Sequence, residues 1–164
     1  YKNINLSALF DFQQGGIMHS TSLQWSKYSG MHPDTVAFNG ESDTRVNGMI
    51  LPGVTETGAE NTTSVNPQDY YQSMWRFAAP NTYEASYLKF RELRLSYTFP
   101  NSVSELISVE NLDISFFGRN IAILSSDIPY IDPQIITGSG NNQGLENAQV
   151  PSTRSFGLNL RANF

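Results

Sequence analysis

Apolar and polar residues alternate along four separate stretches of the chain. Over residues 3–13, Ile4, Leu6, Ala8, Phe10 and Phe12 share one parity, and Asn3, Asn5, Ser7, Asp11 and Gln13 the other, with Leu9 the exception. Successive side chains of a strand point to opposite faces, so this pattern predicts a strand with one apolar and one polar face. A second strand is predicted over 87–99. Leu93, Leu95, Tyr97 and Phe99 oppose Glu92, Arg94, Ser96 and Thr98 there, but in the first half Leu88 and Phe90 are apolar while Lys89 and Arg91 are charged. The phase slips near Arg91 and Glu92, as it does at a β-bulge or where the upper half of a strand packs under different rules beyond a membrane. A third strand, 110–121, sets Leu112, Ile114 and Phe116 against Asn111, Asp113, Ser115 and Arg119, with Phe117 the exception. The fourth, 154–164, sets Phe156, Leu158, Leu160, Ala162 and Phe164 against Ser155, Gly157, Asn159, Arg161 and Asn163.

The connections alternate in length. Residues 14–86 open on Gly15 and Gly16, are rich in Gly, Asn, Ser, Thr and Pro, and hold seven acids against three bases. A structureless connection of that length is abnormal in a compact soluble domain. Within it, residues 69–75 read as a short helix. The link at 100–109 is short, and Ser102 with Glu105 has the spacing of a capping box, which predicts a helical turn over 103–107. A medium connection spans 122–152. In a transmembrane barrel the long loops are extracellular and the short turns periplasmic. That rule makes 14–86 and 122–152 extracellular, 100–109 periplasmic, and the first and third strands outward-running. Strands of this length suit a tilted membrane crossing. Four of them cannot close, since the smallest such barrels have about eight. An open sheet with an apolar face would leave bare edges and unburied surface, and the chain begins at Tyr1 as if mid-strand. Both features read as a piece of something longer.

Composition narrows the class. Ten basic and 15 acidic residues give a net charge of -5, the wrong sign for a nucleic-acid binder. Without cysteine there is no disulfide framework or thiolate metal site. Charged residues are 15% of the chain, below the usual level of about 25%, yet aromatics reach 12%, too many for a disordered chain. No run approaches the roughly 18 apolar residues of a helical span; a barrel is untouched by that criterion.

Five blocks resemble a known family. YKNINLSALFDFQQGG resembles a late barrel strand opening on Gly-Gly and a large loop, and YLKFRELRLSYTFP at 87–100 a Lys-Leu-Arg-Glu…Leu-Ser-Tyr-Thr-Leu-Pro block. FFGRNIAIL at 116–124 resembles a Gly-Arg-Asn-Leu block. IDPQ at 131–134 resembles an Asp-Pro-Glu block, with Gln134 in place of Glu, and VPSTRSFGLNLRANF at 150–164 resembles a terminal strand closing on Phe. In this order they resemble the C-terminal end of the SusC/RagA-type TonB-dependent outer-membrane transporters of Bacteroidetes. The resemblance implies an all-β fold, the last four antiparallel strands of a 22-stranded transmembrane barrel, with one long and one medium extracellular loop. It implies import of oligosaccharides or peptides. It also implies four partners: the remainder of the same transporter (barrel and plug), a SusD-like surface lipoprotein lid, the TonB energy-coupling protein acting through an N-terminal part, and membrane lipid. No nucleic acid, cofactor or enzymatic activity is expected. The alternatives are an autonomous β-rich carbohydrate-binding module and another outer-membrane barrel such as an adhesin or porin.

Candidate site residues lie mostly in the loops. Tyr70, Tyr71, Trp75, Arg76 and Phe77 form an aromatic cluster with a cation. Sugar rings stack on such faces, and interfaces are enriched in the same residue types, so the cluster is a candidate for contact with substrate or the lid protein; packing within the loop is the structural alternative. Asp127 and Asp132, near Tyr130, are paired carboxylates such as a glycosidase uses as acid and base, but nothing else supports that chemistry; a solvated or turn-forming role is expected, with Asp132-Pro133 as a turn start. The Asn-rich 138–147 segment with Glu146 offers oxygen ligands, but its spacing fits no calcium loop. His19 and His32 have no ligand-spaced partner, so no metal is expected. Glu92 and Arg94 should face the barrel lumen, as a seat for an acidic plug surface or, more blandly, in salt bridges to neighbouring strands. Phe156, Leu158, Leu160 and Phe164 resemble the assembly signal of outer-membrane barrels: a last strand must offer a free edge before closure, and a terminal aromatic suits the periplasmic girdle.

Overall fold

The computed structural model describes residues 1–135, 138 and 140–164. In chain order its elements are β1 (Ile4–Gln13), β2 (Ile17–Ser20), α1 (Thr21–Tyr28), β3 (Ala37–Phe38), β4 (Glu41–Ser42), α2 (Thr44–Asn47), β5 (Met49–Ile50), β6 (Ser64–Val65), α3 (Pro67–Met74), β7 (Thr82–Glu84), β8 (Tyr87–Thr98), α4 (Asn101–Leu106), β9 (Asn111–Ser126), β10 (Leu145–Glu146) and β11 (Ser155–Asn163). The fold is mostly β. It divides into two compact units: residues 1–16, 84–135 and 150–164 form the first, and 17–83 with 136–149 the second.

The first unit is a four-stranded antiparallel sheet in the order β1-β8-β9-β11. Register places like beside like. Ile4, Tyr97, Ile114 and Leu160 form one cross-strand row, and Leu6, Leu95, Phe116 and Leu158 the next. On the other face Asn5, Ser96, Ser115 and Asn159 align. The apolar rows are open: Leu6 and Leu160 are each 66% exposed and Leu158 73%. On the apolar parity Leu93 and Leu112 are half-buried, while Ile4, Leu6, Phe10, Phe12, Leu95, Ile114, Phe116, Phe156, Leu158 and Leu160 are exposed. The sheet is open, with β1 and β11 at its edges, and the described residues close no barrel.

The phase slip has a local cause. Leu9 pairs with Glu92 and Phe10 with Phe90, so Arg91 is the extra residue of a bulge. β9 answers with its own irregularity, where Asn120 takes a positive φ of 50°. The bulge returns Leu88 and Phe90 to the apolar face, and Phe90 stacks on Phe10 at 4.9 Å between ring centroids. Phe117 also has a reason. It sits opposite Gly157, while Phe156 sits opposite Gly118. A Cβ on Gly157 would lie 2.5 Å from the Phe117 ring, and one on Gly118 2.9 Å from Phe156. Each ring covers the bare backbone of the facing glycine, one on each side of the sheet.

α4 begins at Asn101 with Pro100 as its cap and no side-chain cap hydrogen bond. The Ser102–Glu105 capping box therefore does not form; both residues are already inside the helix, whose start is set by the fixed φ of Pro100. β9 also runs to Ser126, further than its alternation predicts, because two irregularities let it stay paired with β8 after the parity is lost.

The long connection is far more ordered than a loop, and the short helix expected at 69–75 is present as α3. The second unit's residues form a three-stranded sheet β10-β2-β7, two strand pairs and three helices. Its interior is small and partly polar: Met18, Leu23, Met49 and Tyr71 are buried beside Ser20, Thr44 and Glu146. β10 pairs in parallel with β2, and the Glu146 carboxylate caps the start of α1. It accepts from Ser20 Oγ and Ser22 Oγ at 2.5 Å each, from Ser22 N at 3.2 Å and from Ala148 N at 2.7 Å. Burial alone would raise the Glu146 pKa; the hydrogen bonds from Ser20 and Ser22 outweigh it and hold it below the ordinary 4.5. The stabilisation is thus complete above that ordinary value and lost as pH falls through the lower native one. Glu146→Ala strands the buried Ser20 hydroxyl and the half-buried Ser22 hydroxyl and should cost about 2 kcal/mol. Faster hydrogen exchange at Ser22 and Leu23 is the expected readout.

Candidate functional site

Two arrangements of polar and aromatic side chains stand out, one in each unit. In the first unit, the polar face of β1 and β8 meets the 132–134 turn. Lys89 is 3% exposed, and its Nζ donates to both Asp132 oxygens at 2.7 and 2.8 Å and to Gln134 Oε1 at 2.9 Å. Ser152 Oγ and the Gln134 backbone N–H also donate to Asp132. Burial works to raise the Asp132 pKa, but these donors, Lys89 first, bring it below the ordinary 3.8. Asp132 is therefore not solvated. The Asp-Pro turn exists, but it carries its carboxylate inward to a buried ammonium.

Gln134 is the hub of the network. Its Oε1 accepts from Lys89 and Arg91, and its Nε2 donates to Asp11 at 2.8 Å and to Tyr87 Oη. Arg91, pushed out by the bulge, also pairs with Asp11 at 3.0 Å and donates to Asn120. Two cations balance two carboxylates here, and a neutral amide that both donates and accepts links them. Gln134→Glu would add a third negative charge and lose both Nε2 donations. A lower unfolding temperature at neutral pH is expected, recovering as acid protonates the new carboxyl. Further down the same face, Arg119 pairs with Glu92 at 3.2 Å and Arg94 reaches Ser115 Oγ at 3.4 Å.

In the second unit, Asn66 caps α3, its Oδ1 accepting from Gln68 N at 2.8 Å, and Pro67 starts the helix. α3 carries Tyr70 and Tyr71, and Trp75 follows at its end. These three line one cavity of about 140 Å³ together with Lys27, Asp34 and Asn81. Tyr71 is buried, and burial followed by the nearby Asp34 charge pushes its phenol far above the ordinary range, so it stays neutral. Arg76 and Phe77 are exposed and do not line the cavity. Two residues absent from the expected cluster join it: Trp75 lies 4.3 Å from Trp25 and 5.2 Å from Tyr28 between ring centroids. Gln24 Nε2 fixes the contact by donating to Trp75 O at 2.7 Å. Trp25 and Tyr28 share a face of α1 at i, i+3 spacing, which was the available signal.

The remaining candidates separate. Asp127 is exposed, and its backbone N–H donates to Ser86 O. His19 Nδ1 meets Thr82 Oγ1 at 3.3 Å, and His32 Nδ1 accepts from Asp34 N. Among the described residues no three His, Cys, Asp or Glu side chains converge to hold a metal ion. Within the Asn-rich 138–147 segment Ser139 lies outside the described residues, and Glu146 is taken up by α1.

Comparison with solved structures supplies the deciding observation. The chain matches a chain of "the RagAB peptide importer in the 'open-open' state" with a TM-score of 0.62 and 20% identity, over 100% of its own length. It has the fold of a RagAB importer segment. The 'closed-closed' state of the same importer matches at TM-score 0.62 and 18% identity over 96% of the chain, and a structure of the RagAB peptide transporter at 0.56 and 17% over 95%. The chain spans only about one sixth of those proteins, 16% in the first case. No family model and no curated protein matches it.

Proposed function

We propose that the chain is a wall segment of an outer-membrane importer of the SusC/RagA type. In this reading its four strands are the last of a 22-stranded barrel, and the 17–83 and 136–149 unit is extracellular. The observation that carries it is the sheet itself, with one continuous apolar face open and the other polar. A soluble carbohydrate-binding module would have to bury that face; a barrel wall turns it to lipid. The fold similarity to the RagAB peptide importer supports a role in transport, with peptides as cargo and a SusD-like lipoprotein as partner. Energy coupling through TonB and a plug would belong to the remainder of the transporter.

The test is biochemical. The full-length protein should fractionate with the outer membrane, require detergent for extraction, and migrate faster on gels before boiling than after. Release by high salt, without detergent, would contradict the proposal.

A further inference from the structure

The second unit holds a larger cleft, of about 500 Å³, within the usual size range of ligand pockets. Trp25 and Tyr28 form an aromatic shelf along it; Trp25 is 51% exposed and Tyr28 36%. The shelf is held by the contacts of both rings with Trp75. Its charged lining residues are Lys27 and Arg45, and among the described residues no carboxylate lines it. Lys27 is committed: Nζ donates to Tyr83 Oη at 3.2 Å and Pro80 O at 3.3 Å. Arg45 is committed only in part. Its Nη2 donates to Gly30 O and to Thr35 Oγ1, which fixes the guanidinium plane, while Nε and Nη1 donate to none of the described residues. The side-chain amides of Gln68 and Gln72 complete the wall.

We infer that this cleft binds the C-terminal end of a peptide, its carboxylate on Arg45 and its last side chain on the Trp25–Tyr28 shelf. A guanidinium already held through one nitrogen is preorganised to meet a carboxylate with the others. The amides suit peptide N–H and C=O groups, having both donors and acceptors. Charge selects the ligand class: a neutral glycan makes no use of a cationic cleft without acids, whereas every free peptide ends in a carboxylate. This assignment rests on the importer reading above.

The experiment is calorimetric titration of the full-length protein in detergent. The probes are Ala-Ala-Leu-Phe as the free acid, the same peptide as its C-terminal amide, and trigalacturonate as a carboxylate without a peptide. The free acid should bind about tenfold or more tighter than the amide, the scale of one charge-assisted hydrogen bond. Arg45→Gln should bring that ratio close to one, and Trp25→Ala should weaken both peptides. The wild-type acid–amide comparison needs no variant, so misfolding of either variant does not blunt it. Equal binding of acid and amide, no binding of either, or binding of trigalacturonate but not the peptide would overturn the inference. If the same preparation is heat-modifiable on gels, such a result overturns this inference alone; absence of that shift overturns the importer reading.

Discussion

Asp132→Ala is expected to destabilise the protein by about 3–5 kcal/mol, the range for removing one partner of a buried ion pair. The side chains of Lys89 and Asp132 are 3% and 6% exposed, so the substitution leaves an ammonium with no counter-charge and little water. It also deprives Ser152 Oγ and the Gln134 backbone N–H of their acceptor. Replacing both partners by apolar residues, Lys89→Met with Asp132→Leu, should recover most of the loss, since a well-packed apolar pair is often as stable as the ion pair it replaces. Acid should act in the same direction as Asp132→Ala. The native Asp132 pKa is lowered, so its contribution is whole above the ordinary 3.8 and vanishes as pH falls through the native value. Urea unfolding of the assembled full-length protein measures each case. A loss below 1 kcal/mol for Asp132→Ala would mean that water reaches Lys89 and the clasp is not closed.

Leu158→Arg is expected to cost about 2–4 kcal/mol, the range for a cation on the lipid side of a barrel near the bilayer midplane. Leu158 sits in the row with Leu6, Leu95 and Phe116, on the open apolar face. The neighbouring Asn159→Arg lies on the opposite face beside Ser115 and, in the proposed barrel wall, should change stability little, because a charge on the lumen side stays hydrated. The contrast between adjacent positions separates burial in lipid from a general intolerance of the strand. Equal effects at 158 and 159 would contradict it.

What alternation can reveal was legible before the structure. The four long strands, the faces of Leu6 and Leu158, and the slip at Arg91 all follow from a period of two read against local exceptions. The exceptions themselves were not. Phe117 breaks its strand's parity because a facing glycine needs cover, and that pairing depends on register between residues 40 positions apart. The inward roles of Asp132 and Gln134 are not legible in the sequence because their partners, Lys89, Arg91 and Asp11, are distant in the chain. The second unit was read as a loop for a related reason. Its strands are two to four residues long, too short for periodicity, and Glu146 holds α1 across more than 120 residues of sequence. The aromatic cluster was legible on α3 alone; Trp25 and Tyr28 were hidden on another helix.

The central claim, that one face of the sheet meets lipid, can be tested by site-directed spin labelling. The chain contains no cysteine; with any cysteine elsewhere in the full-length protein replaced, single cysteines at 6, 95, 116 and 158 on one face, and at 5, 96, 115 and 159 on the other, can be labelled in the membrane-embedded protein. Collision rates with oxygen, which concentrates in lipid, should be high at the first four and low at the second four, alternating residue by residue along each strand. Uniformly low oxygen access at 6, 95, 116 and 158 would place that face against protein and contradict the barrel-wall account.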